Sequence, residues 1–210
     1  MKPKGASIGT LKARTPLVLP GQRVGIMGGS FNPPHEGHLR VAETALRRLR
    51  LDRVWWVVTP GNPLKSNGGL PPLASRIAAV ERLISDPRMQ ATGFEAGLGS
   101  VYTVDTVSFL IRRHPGVAFV WLMGGDALAG FHRWRQWRQI AAEMPMAVVD
   151  RPGFRLKAMA SPAAHALSRR FLPEARAASL PRRRSPPMWT FLTTRLSPLS
   201  STEIRSKSMI

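Results

Sequence analysis

Two histidines, His35 and His38, stand three residues apart directly behind the run Gly28-Gly29-Ser30-Phe31-Asn32-Pro33-Pro34. Paired glycines let the backbone come close to a ligand, because no Cβ blocks the approach. Imidazoles at i and i+3 lie on one helix face and can both reach one anion. A helix N-terminus adds unpaired N–H groups and a partial positive charge, which suit phosphate. This stretch therefore reads as a site for the phosphates of a nucleotide. Taken alone, the histidine pair would more readily be a helix cap and a core residue; the glycine turn in front of it changes that balance. With five histidines and no cysteine in the chain, a zinc site is not expected. The dinucleotide glycine fingerprint and the Walker A lysine motif are both missing, which argues against a dehydrogenase or a P-loop NTPase.

Such a site needs a strand before it and a helix behind it. The apolar run 23–29 predicts the strand, and 38–50, with Leu39, Ala42, Leu46 and Leu49 on one face, predicts the helix. Residues 54–59 form a near-continuous apolar run, as in a parallel strand buried on both faces. A Gly/Pro-rich loop over 60–72 precedes a helix over 73–84, closed by Asp86-Pro87. Further strands are expected at 89–94, 117–123, 146–149 and 189–193, with helices at 103–113 and 134–143 and a last helix opened by Ser200. Strands alternating with helices predict an α/β fold: a Rossmann-like, doubly wound, mainly parallel sheet with a small C-terminal helical element. Ligands of such sheets bind at the carboxyl ends of the strands. The glycine–histidine loop, the loop after Thr59 and Gly124-Gly125-Asp126 all fall there.

The chain has 210 residues, of which 43% are hydrophobic, and no cysteine. That length suits one domain over 23–210, preceded by a flexible basic leader over 1–22 and carrying a basic loop or insert of short helices over 155–187. No apolar run approaches the length that crosses a bilayer, and the first 22 residues lack a secretory apolar core. A cytoplasmic protein, monomer or homodimer, is the expectation. The net charge of +19 fits anionic ligands, and it keeps a basic nucleic-acid-binding protein as an alternative. Nucleic acid is not expected as the main partner, because the arginine runs at 169–170 and 182–184 lie mostly outside the expected site.

The run from Gly28 to His38 resembles the first signature of the HxGH nucleotidyltransferases. Leu199-Ser200-Ser201-Thr202-Glu203-Ile204-Arg205 resembles their second. From Val24 to Arg205 the chain is most similar to the bacterial nicotinate-nucleotide adenylyltransferases. The resemblance implies adenylyl transfer from ATP to nicotinate mononucleotide, giving deamido-NAD and pyrophosphate. Magnesium would accompany ATP, with no dedicated protein ligand. His35, His38 and Arg205 would be the catalytic groups. Gly28, Gly29, Ser30, Phe31, Gly125, Asp126, Ser200, Thr202 and Arg205 would bind ATP. Lys65, Tyr102, Thr103, Trp134, Arg135 and Arg151 would bind the pyridine nucleotide, with Trp134 stacking on the ring and the Tyr102-Thr103 turn holding its carboxylate. Read without the resemblance, Asp126 and Thr103 are as well explained as helix caps. Ser200 is then the cap of an ordinary helix, and Trp134 a core residue on one face with Phe131 and Trp137. Relatives often carry histidine where this chain has Leu64. The nearest alternative is another HxGH transferase such as a pantetheine-phosphate adenylyltransferase; Tyr102-Thr103, Gly124-Gly125-Asp126 and Trp134 argue against it.

Overall fold

The computed structural model describes residues 13–61, 69–182 and 186–194. Six strands form one parallel sheet: β1 (Arg23–Gly29), β2 (Arg53–Val58), β3 (Met89–Thr92), β4 (Ala118–Gly124), β5 (Met146–Val149) and β6 (Trp189–Leu192), in the order β3-β2-β1-β4-β5-β6. The chain winds outward from β1 in one direction and then, from β4, in the other. The reversal leaves a crevice between the carboxyl ends of β1 and β4, the place where such sheets bind ligands.

Strand alternation sends side chains to two separate cores. Val24, Ile26, Trp55, Val57, Trp121, Met123, Val148 and Trp189 pack on one face, against Val107 and Leu110 of α3 (Thr103–Arg113) and Ile140 of α5 (Trp137–Glu143). Met27, Val54, Trp56, Val58, Val120, Leu122 and Val149 pack on the other, against Val41, Ala42, Ala45 and Leu46 of α1 (Glu36–Arg48) and Val80 of α2 (Leu73–Leu83). Burial on both faces explains why these strands read as continuous apolar runs.

Several boundaries differ from the sequence expectation. Helix α1 opens at Glu36 rather than His38, because His35 serves as its N-cap: His35 Nδ1 accepts from the Gly37 N–H at 3.0 Å. It closes before Arg50, whose φ of 52° is left-handed. Gly125–Gly130 forms a short helix, α4, with Asp126 in its first turn and Gly124, not Asp126, at its cap; a 3-10 turn over Phe131–Arg133 follows. The helix expected from Trp134 starts only at Trp137, because Gln136 adopts φ 52° and ψ 38° and breaks the run. The strand expected over 89–94 ends at Thr92, and a 3-10 turn, Phe94–Leu98, follows it.

The basic stretch 155–187 consists, over its described part, of short helices, α6 (Arg155–Met159), α7 (Pro162–Ala166) and 3-10 turns. Ala158, Ala163, Leu172 and Leu180 seat it on the sheet. The leader is docked where it is described: Ala13 and Val18 pack on the core, Gly21 N donates to Gly116 O at 2.7 Å, and Thr15 Oγ1 lies 3.0 Å from His114 Nε2.

Candidate active site

The two glycines that end β1 make room for aromatic rings. A Cβ on Gly28 would stand 2.9 Å from Cη2 of Trp121, and one on Gly29 would stand 3.1 Å from Cζ of Phe31. Phe31 itself is left-handed, with φ 44°. Its ring meets His38 edge-on at 5.1 Å and Trp56 at 5.3 Å, so the turn after β1 is held by an aromatic wedge. His35 is buried, and its ring lies 3.9 Å from that of His38, with 36° between the planes. Because His35 Nδ1 accepts a hydrogen bond, the proton of the neutral ring resides on Nε2.

Arg151 reaches the same place from the end of β5. A Cβ on Gly37 would collide with Arg151 Nη1 and stand 2.9 Å from the His35 ring. Gly37 therefore lets the guanidinium approach the start of α1. A Cβ on Gly124 would collide with Asp126 and lie 3.1 Å from Arg151 Cγ. Asp126 and Arg151 form an ion pair at 3.8 Å, with the arginine largely shielded and the aspartate half-exposed. Asp150, beside it, is buried and pairs with Arg155 at 3.1 Å.

On the other side of β1 a cavity of about 420 Å³ opens. Gly28, Gly29 and Trp121 line it from the sheet, and Thr59 and Gly61 from the loop after β2. Tyr102 and Thr103 line it from the start of α3, and Arg133, Trp134 and Arg135 from the segment before α5. Trp134 is half-buried and touches Phe131 and Trp121 edge-on, at 5.3 Å and 6.3 Å. Phe131 and Trp137 are core residues. Trp134, ahead of the break at Gln136, packs on that core with one side and lines the cavity with the other. Arg135 stacks its guanidinium over the Tyr102 ring, 4.5 Å from its centroid.

Thr103 is not a side-chain cap. Tyr102 takes the cap position in extended conformation, without a side-chain cap bond. Ser100 Oγ accepts from Tyr102 N at 3.2 Å and donates to Asp105 at 2.5 Å. The N–H groups of Thr103 and Val104 lie in the first turn of α3, where the helix itself supplies no acceptor, while that of Asp105 donates to the Tyr102 carbonyl at 3.0 Å; Thr103 lines the cavity.

Two buried charged side chains that the sequence reading did not single out hold these loops. Arg76, 3% exposed, donates from Nη1 to the carbonyls of Ser30 (2.9 Å) and Thr59 (2.8 Å) and from Nε to that of Pro71 (2.9 Å). It ties the turn after β1 to the loop after β2, and burial lowers its pKa. Its spacing with Leu73, Ile77 and Val80 puts an arginine on the apolar face of a helix, which is the clue in the sequence. Glu95, 5% exposed, lines the cavity. Burial raises its pKa, against hydrogen bonds from Thr106 and Thr59.

Of the residues expected from sequence, Gly28, Gly29, Tyr102, Thr103, Trp134 and Arg135 line the cavity. His35, His38, Phe31 and Arg151 cluster at the adjoining end of α1. Ser30 gives its carbonyl to Arg76. Asp126 faces Arg151, and Gly125 is buried, its virtual Cβ 3.7 Å from the Cβ atoms of Ala158 and Phe154. Lys65, Ser200, Thr202 and Arg205 lie outside the described residues, as does the helix expected from Ser200. Arg133 and Thr59 are further lining residues; Arg133 could have been suspected from its place beside Trp134.

The cytidylyltransferase-like family model matches residues 26–207. The chain belongs to this family. A relative named "Probable nicotinate-nucleotide adenylyltransferase" from Methylorubrum extorquens is 55% identical over 185 residues, covering 88% of this chain and all of the relative. One of the same name from Rhizobium meliloti is 53% identical over 183 residues, covering 87% of this chain and 97% of the relative. Among solved structures, a Plasmodium falciparum nicotinic acid mononucleotide adenylyltransferase complexed with NaAD superposes with a TM-score of 0.66 at 17% identity, covering 88% of this chain and 83% of that one. At that identity the likeness speaks for the fold: a Rossmann-like parallel α/β sheet.

Proposed function

We propose that this chain transfers the adenylyl group of ATP to nicotinate mononucleotide, giving deamido-NAD and pyrophosphate in NAD biosynthesis. The observation that carries this reading is a juxtaposition. A histidine pair beside Arg151 stands at the carboxyl end of β1, and the same strand end lines a cavity walled by Trp134 and the start of α3. An anion site and an aromatic pocket thus share one wall. The close relatives carry the name of that activity.

A phosphate oxygen of the mononucleotide attacks the α-phosphorus of ATP. The new P–O bond forms as the bond to the β-phosphate oxygen breaks, and pyrophosphate leaves in line. The nucleophile is already ionised, so the protein needs donors more than a base. His35 Nε2 and His38 supply them at the phosphates, with the N-terminus of α1. Arg151 adds positive charge beside them. ATP would enter as its magnesium complex, the metal supplying charge neutralisation at the phosphates, with no side chain of the chain assigned to it. By the sequence resemblance, Ser200, Thr202 and Arg205 are assigned to ATP and Lys65 to the mononucleotide. Trp134 stacks on the pyridine ring, and at the Tyr102-Thr103 turn the Thr103 N–H receives its carboxylate, the Tyr102 N–H being engaged by Ser100. Among the described residues no helix is long and apolar enough to cross a membrane.

The test is pyrophosphate release from ATP with nicotinate mononucleotide, nicotinamide mononucleotide or phosphopantetheine as acceptor. Preferred turnover of the nicotinate form is expected. Turnover of phosphopantetheine alone would move the chain to another branch of the family.

A further inference from the structure

The indole of Trp121 has a socket in the sheet. Trp121 stands beside Ile26 in the β1–β4 register, and both side chains belong to the same core. The next position on that face of β1 is Gly28. The far end of the indole reaches over it: a Cβ on Gly28 would stand 2.9 Å from Cη2 and 3.1 Å from Cζ2. Carbon atoms rest in contact at about 3.5–4.0 Å, so any side chain at position 28 must push the ring. The strand cannot retreat freely, because Gly28 is paired with Val57 of β2. The rest of the indole is buried in a packed core with little spare room. The space left to the ring is the cavity, which Gly28 and Trp121 both line.

We propose that Trp121, admitted over β1 by Gly28, is the floor of the pyridine subsite and a specificity-determining residue that fixes how deep the ring enters. The identity of that ring rests on the adenylyltransferase reading above. The planes of Trp121 and Trp134 meet at 89°, with 6.3 Å between centroids. A flat ring stacked on Trp134 lies parallel to it, and so stands perpendicular to Trp121. Edge-to-face is one of the arrangements that aromatic pairs prefer. The two tryptophans therefore form a corner, Trp134 as wall and Trp121 as floor. Gly28 then has a role beyond letting backbone approach phosphate: the missing Cβ sets the height of the floor. This selection acts on the shape of the ring rather than on its charge, so it treats the acid and the amide alike. The start of α3 reads the carboxylate separately.

The test is a double-mutant cycle on the full chain, read by KM for nicotinate mononucleotide, nicotinamide mononucleotide and ATP. Gly28→Ala lifts the floor and should raise KM for both mononucleotides by about tenfold, a usual size for overpacking. KM for ATP should change less. Trp121→Phe keeps an aromatic ring but removes Cζ2 and Cη2. It costs no hydrogen bond among the described residues, since Trp121 Nε1 has no partner there. Alone it lowers the floor and should raise KM for both mononucleotides about two- to tenfold, the value of one aromatic pair. The combined Gly28→Ala and Trp121→Phe protein should return to the KM values of Trp121→Phe alone, because residues in contact are not additive. Additive increases would overturn the proposal, as would a Gly28→Ala defect confined to ATP, which would leave Gly28 to the phosphates. Unchanged mononucleotide KM values in Trp121→Phe would overturn it as well, so a poorly folding Gly28→Ala still leaves a decision. Wild-type turnover of phosphopantetheine with neither pyridine mononucleotide would instead overturn the activity reading and the floor together.

Discussion

The rings of His35 and His38 stack at a tilt, 3.9 Å between centroids and 36° between planes, although only one of them belongs to a helix. His35 is the cap and His38 sits in the first turn. Gly37 between them leaves the space that Arg151 fills. Two imidazoles, a guanidinium and a helix N-terminus thus converge within one turn of chain.

His38→Ala should therefore lower kcat strongly while leaving the fold intact, since His35 still caps α1. Removing one donor to a developing charge commonly costs about 10²–10³ in rate. Steady-state kinetics beside circular dichroism would check this, and near-normal turnover would remove His38 from the mechanism.

Trp134 and Trp137 should behave differently, because one lines the cavity and the other is core. Trp134→Ala should raise KM for the pyridine mononucleotide more than for ATP, by the roughly 0.5–1.5 kcal/mol that aromatic stacking adds. Trp137→Ala should instead cost stability, about 3–5 kcal/mol for a buried large-to-small change. Thermal melts and KM values on the two variants would separate them, and the reverse pattern would return Trp134 to the core.

Thr103→Pro should delete one N–H at the mouth of the cavity and spare the helix. Proline is favoured at the first helical position, and the preceding Tyr102 is extended, at φ −99° and ψ 130°, as a residue before proline must be. The preference for the acid over the amide mononucleotide should fall by about tenfold, the value of a lost bond to a charged group. Comparing kcat/KM on the two substrates gives the answer; an unchanged ratio would mean that this turn does not read the carboxylate.

Arg76→Met should strip three carbonyls, of Ser30, Thr59 and Pro71, of their donor. We expect a loss of about 2–4 kcal/mol in urea unfolding, given about 1–3 kcal/mol for each buried polar group left unpaired and some rehydration. Arg76→Lys should recover only part of it, since an ammonium lacks the planar fork. Equal stability of all three proteins would show that the two loops hold their places without the clamp.

Much of the site was legible because its parts are local. A strand, a glycine turn and a helix start are consecutive, so Gly28, Gly29, His35 and His38 could be placed together from spacing and hydropathy. The parallel sheet followed from alternating apolar runs. The break at Gln136 was not legible, since any residue can be forced left-handed by its surroundings. The apolar spacing alone made Trp134 a core residue with Phe131 and Trp137, and only the structure puts it in the cavity wall.

What the sequence determined by itself is the order of elements, the strand ends at which a ligand binds and the donor-rich character of the first loop, because these depend on short-range periodicity and backbone preference. The tertiary structure alone decided which distant groups meet. Arg151 reaches the histidines because β5 follows β4 outward from the reversal in strand order. Arg76 becomes a clamp because α2 packs its apolar face, and that arginine with it, under two loops. Glu95 is buried in the cavity wall because the turn after β3 packs against α3, where Thr106 donates to it. Contacts between residues far apart in the chain set burial and hydrogen-bond partners, and neither is written in any one segment.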